Sequence, residues 1–442
     1  MLSAKINQES VNVNMIFGLL KKIAKIRGAI SKHLLMQNYR PYEAILKRFR
    51  NQGDIWMCSQ GEFIQWWMAR EQASLHLTVV DGICIAKTNL EGGVIEQFQQ
   101  QFLEADEVAC PNTTFQGEVY FSIDPDLPAK EVLIEVLKRE GILNFRVEKE
   151  GPLLLSKQEF GPLVEQVAAN LSNKGRLFDE DVEEVRQALL GKLAAYNLPL
   201  LRVWYHPCIN GTVIKAVFSP RYDVDRAISL LGYIRQLEQK YQVSSTLYVR
   251  AFCPFYTDEM VKHLATQPWC SEIGLHGEFV TNARHHGDEL QAAKAEKEKI
   301  ETLIGRPILG VCMHGGEMSS NTTNDTPDIV QQVGLLYDTT PNMRYYFPFK
   351  KMIEGQLSRS YSLIHPTGDI KMPATLSYSQ TFYEQVVAKM DEIYQHNGVF
   401  VLMLHPVYFG FFRYLFNPVN WRPFWSFFKH YFRAGSPSLI TE

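Results

Sequence analysis

Cysteine is scarce in this chain, and its arrangement argues against two kinds of site. The seven cysteines among 442 residues stand singly, their number is odd, and no Cys-x-x-Cys pair occurs. This pattern argues against a disulfide framework and against a thiolate zinc site, and it favours a reducing compartment. We therefore expect a cytoplasmic protein.

Long apolar runs and a strong charge of one sign are also missing. No apolar stretch approaches the ~18 residues of a membrane-spanning helix, and the short run at 15–20 lacks a signal-peptide cleavage pattern after it. Lys and Arg number 45 against 48 Asp and Glu, which gives a formal net charge of −3. With no global positive field, nucleic acid is not expected as a partner.

The composition, with 46% hydrophobic and 21% charged residues, is typical of globular domains with a hydrophobic core. The length predicts two or three domains. A linker is predicted at 198–211, where prolines and a glycine cluster. We divide the chain into a helical and strand-helix segment at 1–74, an α+β domain at 75–205 and an α/β domain at 206–435 with an aromatic tail.

From residue 212 onward, predicted strands alternate with predicted helices. That rhythm predicts parallel strands with crossover helices, either in an α/β barrel or in an open sheet. The carboxyl ends of such strands meet at one edge, where polar side chains converge on a site. The residues at these predicted strand ends are Asp223, Asp225, His276, His314, Asp338 and His405.

Asp223 and Asp225 stand two residues apart, just after the predicted buried strand at 213–218. Side chains at this spacing point the same way on an extended chain, so one carboxylate can bind a metal while the other takes a proton from water. The alternative is a pair of aspartates that cap the next helix. The later histidines favour the first interpretation, because a carboxylate and two imidazoles are a usual ligand set of catalytic zinc.

Residues 213–410 resemble the NodB-type polysaccharide deacetylases, in the carbohydrate esterase family 4 superfamily, and most closely a divergent branch linked to surface-polysaccharide loci. The resemblance rests on the order and spacing of motifs at 221–225, 272–277, 296–305, 310–314, 337–340 and 402–406. It implies a distorted (β/α) barrel with fewer than eight strands. It also implies metal-dependent removal of N- or O-acetyl groups from a carbohydrate or glycolipid.

The resemblance assigns roles to individual residues. Asp223 matches the catalytic base and His405 the acid that protonates the leaving group. Asp225 and His276 match ligands of a divalent ion, for which zinc is favoured. The residues expected to contact substrate are Arg221, Tyr222 and Asp338.

The sequence departs from the family pattern at the third metal ligand. The family has a second histidine four residues after the first, but Val280 stands there. The candidates for the third ligand are His285, His286 and His314, of which the divergent branch favours His314.

Two further departures concern charge around the aspartates. Cys312 stands where that branch has an arginine, and Arg221 and Tyr222 replace smaller or different residues. These departures motivate the alternative of a catalytically inactive carbohydrate-binding or scaffold protein on the same fold.

Two segments outside the motifs have interpretations of their own. Residues 51–71 resemble the closing strand and helix of a deacetylase domain, although an ordinary strand-helix unit has the same pattern. The tail at 408–432 is dense in aromatic and basic residues, and we expect it to fold back over the barrel. Its alternative is peripheral contact with a membrane surface. No pattern indicates an oligomeric state.

Overall fold

The structure is a computed structural model of the chain. It describes residues 39–98, 101–102, 107–110, 115–174, 179–226, 228, 231–315, 326–340, 346–363, 380–407 and 409. The predicted strand at 370–372 and, apart from Phe409, the aromatic tail lie outside the described residues.

Eleven helices lie within the described residues. They are α1 (39–52), α2 (Gln60–Glu71), α3 (Lys130–Glu140), α4 (Lys157–Lys174), α5 (Asp179–Tyr196), α6 (Leu231–Tyr241), α7 (Asp258–Ala265), α8 (Phe279–His286), α9 (Glu289–Ile304), α10 (Thr326–Gln332) and α11 (Gln380–Gln395). In the parts of the chain that the structure describes, every helix falls short of the length and apolarity needed to cross a membrane.

The strands before residue 214 are short. They are β1 (Ile55–Met57), β2 (Leu75–Val80), β3 (Ile83–Thr88), β4 (Ile95–Gln97), β5 (Gln101–Phe102), β6 (Glu107–Ala109), β7 (Gly117–Val119), β8 (Phe121–Ile123), β9 (Phe145–Val147), β10 (Leu153–Leu155), β11 (Leu201–Val203), β12 (Cys208–Ile209) and β13 (Thr212–Val213). Apart from β1, they form small sheets, and residues of these sheets share a hydrophobic core with α3, α4 and α5.

The later strands build one large sheet. They are β14 (Ala216–Val224), β15 (Thr246–Val249), β16 (Glu272–Gly277), β17 (Gly310–Met313), β18 (Tyr337–Asp338), β19 (Phe349–Ile353), β20 (Gln356–Ser362) and β21 (Val399–Leu404). Within the described ranges the neighbours run β21-β14-β15-β16-β17-β18-β20-β19, and only the β19–β20 pair is antiparallel. The predicted α/β architecture with a parallel sheet is confirmed.

The two ends of this sheet approach each other at one point. Val399 at the start of β21 donates a backbone hydrogen bond to the carbonyl of Tyr346, 2.8 Å away and three residues before β19. Among the described residues, no ladder of strand pairing joins the two edges. Closure into a barrel therefore stays a prediction.

The strand that carries the Asp-x-Asp motif is longer than predicted. The sequence ends it at Phe218, where apolar residues give way to Ser219, but β14 continues to Val224. The polar residues do not end the strand because it is buried on both faces, with Ser219 and Arg221 inside the fold. Arg221 and Asp223 thus belong to the strand itself, and Asp225 follows it.

The strand-helix unit at 55–71 joins the large sheet, although the sequence assigns it to the segment at 1–74. Met57 in β1 pairs in parallel with Phe218 in β14. The following helix α2 starts with a capping box at Ser59, and its first amides reach the amino ends of the next strands. Gly61 donates to the carboxylate of Glu272 at 2.8 Å, and a β-carbon at position 61 would lie 2.5 Å from that carboxylate. The absent side chain of Gly61 therefore allows α2 to dock.

We expect Gly61→Ala to lower the free energy of unfolding by about 1–3 kcal/mol, because the added methyl displaces a buried carboxylate that accepts three hydrogen bonds. Chemical denaturation measures the change. Gly191→Ala is the matched control, since Gly191 is also helical and a β-carbon there meets nothing within 4 Å. Equal effects of the two substitutions would show that close docking at Gly61 is unimportant.

Candidate metal centre

Three side chains that can bind a metal meet beyond the carboxyl ends of β14, β16 and β17. Nε2 of His276 lies 3.0 Å from Oδ1 of Asp225, and Nε2 of His314 lies 3.5 Å from the same oxygen. The three ligand atoms are all within 4.8 Å of one another. Tetrahedral ligands bound at ~2.1 Å stand ~3.4 Å apart, so this spacing fits one divalent ion. We call these three residues the metal cluster.

Hydrogen bonds at the far side of each ring set the orientation of both imidazoles. Nδ1 of His276 donates to the backbone carbonyl of Cys312 at 2.9 Å, and Nδ1 of His314 lies 3.2 Å from Oε1 of Glu278. With Nδ1 engaged on the far side, Nε2 on the Asp225 side of each ring is the nitrogen that a metal would bind, which is the arrangement that metal-binding histidines use. Both rings are therefore prepared as ligands.

The charge of Asp225 also suits a cation. Burial raises the pKa of this carboxyl, but hydrogen bonding and attraction from His276, together with His405 and His314, lower it to about 2. Burial lowers the pKa of His276, whereas the bond to Asp225 raises it more strongly, to well above the ordinary value. Asp225 therefore stays ionised and attracts positive charge, from a proton on His276 or from a bound cation.

Glu278 and Arg250 support the metal cluster and were not predicted from the sequence. One carboxylate oxygen of Glu278 contacts His314 and also accepts from Arg250 at 2.7 Å, and Arg250 donates to the backbone carbonyl of Asp225 at 3.4 Å. Burial raises the pKa of Glu278, but these two partners bring it below the ordinary value. The sequence did contain one indication that Glu278 belongs to the site, because this residue directly follows the strand that carries His276.

We expect Glu278→Gln to weaken metal binding roughly 10-fold, because groups that orient a ligating histidine typically contribute 10–100-fold to affinity. Titration against a chromophoric zinc chelator measures the affinity. The control is Glu298→Gln, an exposed position on α9. An unchanged affinity in Glu278→Gln would exclude a supporting role for this carboxylate.

Asp223 lies next to the metal cluster, on the same face of β14. Its Oδ2 accepts from Arg221 at 3.1 Å, whereas its Oδ1 is buried and has no hydrogen-bond partner among the described residues. Burial raises the pKa of this carboxyl, but Arg221, His276 and His405 outweigh burial and lower it below the ordinary value. The result is an ionised carboxylate with one oxygen available to take a proton.

His405 completes the group from the carboxyl end of β21. Its Nε2 lies 3.7 Å from Oδ2 of Asp225, the oxygen that does not face His276 and His314. Burial lowers its pKa, although Asp223 and Asp225 oppose this effect. The structure thus brings together five of the predicted residues, which are Asp223, Asp225, His276, His314 and His405.

The three residues predicted to contact substrate are all buried. Arg221 is 1% exposed and donates to the Thr339 carbonyl and to Oδ2 of Asp223, so it can position Asp223 but does not face solvent. Tyr222 points to the opposite face of β14, where its hydroxyl is 2.6 Å from that of Tyr42. Asp338 is buried and accepts from the backbone N–H of Thr340 at 2.8 Å.

The structure also separates the candidates for the third ligand. His285 and His286 end α8, where His285 contacts Arg284 on the surface and His286 stacks on Phe252. In the described part of the chain neither belongs to a cluster of metal ligands, whereas His314 does. The position of β17 beside β16 explains this, since it places His314 next to His276.

Cys312 offers a second ligand set with Asp223 and His276, whose atoms also lie within 4.8 Å of one another. Burial raises the pKa of its thiol, and a protonated thiol is a poor ligand. All three residues of this set are buried, whereas Asp225 and His314 are partly open to solvent. The metal cluster is therefore the better candidate for a site that substrate must reach.

Comparison with known proteins adds distant similarities. No protein-family model matches the chain, and no curated protein matches it. One similar solved structure, from Mycobacterium smegmatis, is assigned as a polysaccharide deacetylase, with 16% identity over 49% of this chain and 84% of that one and a TM-score of 0.33. Another is the PuuE allantoinase, with 14% identity over 51% of this chain and 86% of that one and a TM-score of 0.33.

A third similar structure, from Bordetella bronchiseptica, is assigned as a polysaccharide deacetylase involved in O-antigen biosynthesis. It shows 14% identity over 43% of this chain and 72% of that one, with a TM-score of 0.30. Similarity at this level carries no argument about function, which must rest on the residues of the site.

Proposed function

We propose that this chain is a metal-dependent, deacetylase-like hydrolase that removes N- or O-acetyl groups from a carbohydrate or glycolipid. One observation carries the proposal. The metal cluster stands beside a second ionised carboxylate, Asp223, whose Oδ1 has no hydrogen-bond partner in the described structure. A purely structural ion pair would not require a buried, unsatisfied oxygen next to three potential ligands.

The donor atoms fit a divalent ion of the zinc type. Two imidazole nitrogens and one carboxylate oxygen form a three-ligand set with a position left open for water or substrate. An ion held there would polarise an acetyl carbonyl and lower the pKa of its water to about 7. Asp225, His276 and His314 would hold it, with Glu278 and the Cys312 carbonyl fixing the two rings.

The remaining groups can move protons. Oδ1 of Asp223 is available to take the proton that water loses when its oxygen attacks the acyl carbon. His405, on the other side of Asp225, can deliver a proton to the nitrogen or oxygen that leaves as the acyl bond breaks. Proton transfer of this kind typically contributes ~10²–10⁴-fold to the rate.

Arg221 supplies the positive charge that Cys312 lacks. Its guanidinium donates to Oδ2 of Asp223, and the sulfur of Cys312 lies 3.8 Å from the same oxygen. An arginine from β14 thus stands beside the base, in place of the arginine expected at position 312. This contact supports a working hydrolase over an inactive relative.

The proposal includes the finer predictions for the fold and the location. The hydrogen bond from Val399 to Tyr346 supports closure of the sheet into a distorted (β/α) barrel. A cytoplasmic location remains part of the proposal on the ground of the single, odd-numbered cysteines. A surface-polysaccharide or glycolipid substrate remains part of it on the ground of the sequence resemblance alone.

Metal analysis together with an acetate assay tests the proposal. We expect about one divalent ion per chain, and chelator-sensitive acetate release from N-acetylglucosamine oligomers or an O-acetylated glycan. A chain that binds no divalent ion and releases no acetate from either class would contradict it. Tight glycan binding without metal would instead favour the second candidate, a non-catalytic carbohydrate-binding or scaffold protein, which the Cys312 departure motivates.

A further inference from the structure

A polar cavity of about 300 Å³ lies between the α+β region and the large sheet. This volume is at the lower end of the range for small-molecule sites, ~300–1,000 Å³. One wall includes His396 and Asn397, which precede β21, whereas His405 follows the carboxyl end of that strand. At ~3.3 Å per residue the strand separates the polar cavity from the metal cluster by roughly 20 Å.

Guanidinium groups outnumber carboxylates in the wall of the polar cavity. Arg139, Arg186 and Arg202 line it, against Glu96 and Glu140. Both carboxylates are bound to Arg202, which donates Nε to Glu96 and one terminal nitrogen to Glu140 at 3.1 Å. This arrangement fixes Arg202, and the lining residues still carry one guanidinium more than they carry carboxylates, which favours an anion.

Arg186 and Arg139 differ in how far a ligand can reach them. Arg186 on α5 pairs with Glu183 one turn earlier at 2.9 Å, and its Nε is 3.5 Å from Glu140. Its side chain keeps 19% of its surface exposed, so an incoming anion can reach it. Arg139 lies deeper, with its guanidinium carbon 5.4 Å from the centre of the Phe347 ring. Planar guanidinium groups suit carboxylate and phosphate, to which they donate two hydrogen bonds at once.

Aromatic rings form the apolar part of the same wall. The ring centres of Tyr205 and Phe347 are 4.4 Å apart at an angle of 30°. The Tyr205 hydroxyl donates to Glu140 at 2.8 Å, which holds the ring in place. A fixed aromatic surface beside charged groups fits a ligand that has a ring as well as an anionic group.

We propose that the polar cavity binds a small sugar that carries one anionic group, either a phosphate or a carboxylate. The volume of about 300 Å³ has room for about one sugar ring. Arg186, the arginine that a ligand can reach, recognises the anion, and Tyr205 and Phe347 lie beside the sugar ring. This second site rests on its own residues and stands whether or not the metal cluster is catalytic.

Isothermal titration calorimetry on the full chain tests the proposal with four probes, which are glucose 6-phosphate, glucuronate, glucose and inorganic phosphate. We expect saturable binding of one anionic sugar at about one per chain, at least ~10-fold tighter than glucose and weaker at high salt. The preferred probe identifies the anion as phosphate or carboxylate. Equal binding of inorganic phosphate and glucose 6-phosphate would overturn recognition of the sugar, and no saturable binding of either anionic sugar would overturn the site.

Substitutions test whether the anionic sugar binds in the polar cavity. Arg186→Met should weaken it roughly 10-fold or more, as expected for the loss of a charged hydrogen bond. The matched control is Lys192→Met on the same helix, since Lys192 pairs with Glu159 and does not line the cavity. Asp225→Asn should leave the affinity unchanged, whatever its effect on hydrolysis. Wild-type affinity in a folded Arg186→Met variant, or loss of binding in Asp225→Asn, would overturn the assignment.

Discussion

Replacement of Asp223 by asparagine is expected to reduce acetate release by ~10²–10⁴-fold, while the bound metal stays at the wild-type level. Asparagine has nearly the same shape and can still accept from Arg221, but it cannot take a proton from water. Because Asp223 is not in the metal cluster, the affinity for the ion should change little. The experiment therefore distinguishes the loss of a catalytic base from the loss of a metal ligand.

Acetate release and metal content should be measured on the same preparation. The control is Asp258→Asn at the start of α7, where the carboxylate is about half exposed and pairs with Lys299. We expect wild-type activity in this control. Full activity in Asp223→Asn would exclude Asp223 as the base, and loss of both metal and activity would make it a ligand.

The second large effect is expected from the histidines. His276→Ala and His314→Ala should each lower the affinity for zinc by at least ~100-fold, since even groups that only orient a ligand contribute 10–100-fold. Loss of metal should abolish acetate release as well. Competition with a chelator of known affinity measures the binding.

His286→Ala is the matched control for the histidine variants. His286 ends α8 and stacks on Phe252, away from the metal cluster, so zinc affinity should stay at the wild-type value. The comparison also decides between the ligand candidates. Wild-type affinity in His314→Ala together with a loss in His285→Ala or His286→Ala would overturn the ligand set that the structure brings together.

Sequence periodicity predicts part of the site because side chains alternate along a strand. The two-residue spacing of Asp223 and Asp225 places both at one face, and the same rule places Tyr222 at the other, where it meets Tyr42. The prediction that Tyr222 contacts substrate did not apply this rule. Apolar runs before polar residues predicted strand ends at His276 and His405, and the structure places both residues at the carboxyl ends of strands.

The position of the third metal ligand and the contacts that support it cannot be predicted from the periodicity of the sequence. His314 meets His276 because β17 pairs with β16, and which strands are neighbours follows from packing of the whole chain. Glu278 and Arg250 come from two different strand ends and act through each other. The end of β14 was predicted too early because its last residues are polar but buried. The end of an apolar run marks the end of a strand only where polar residues face solvent.

The pairing of β1 with β14 has a consequence for how the protein is made. β1 is synthesised about 160 residues before its neighbour, and the entire α+β region lies between them in the chain. Contacts between such distant segments form slowly, because a long loop must first close. At the far end, Tyr39 of α1 stacks on Phe409, with ring centres 4.6 Å apart.

The first described helix therefore finds its partner only when residues beyond β21 have been made. A fragment that starts at residue 206 would contain every residue of the metal cluster, yet it would leave Thr246 and Glu272 without the amides of Gln60 and Gly61. We expect such a fragment to fold poorly, because the large sheet then forms late in synthesis and together with α1, β1 and α2.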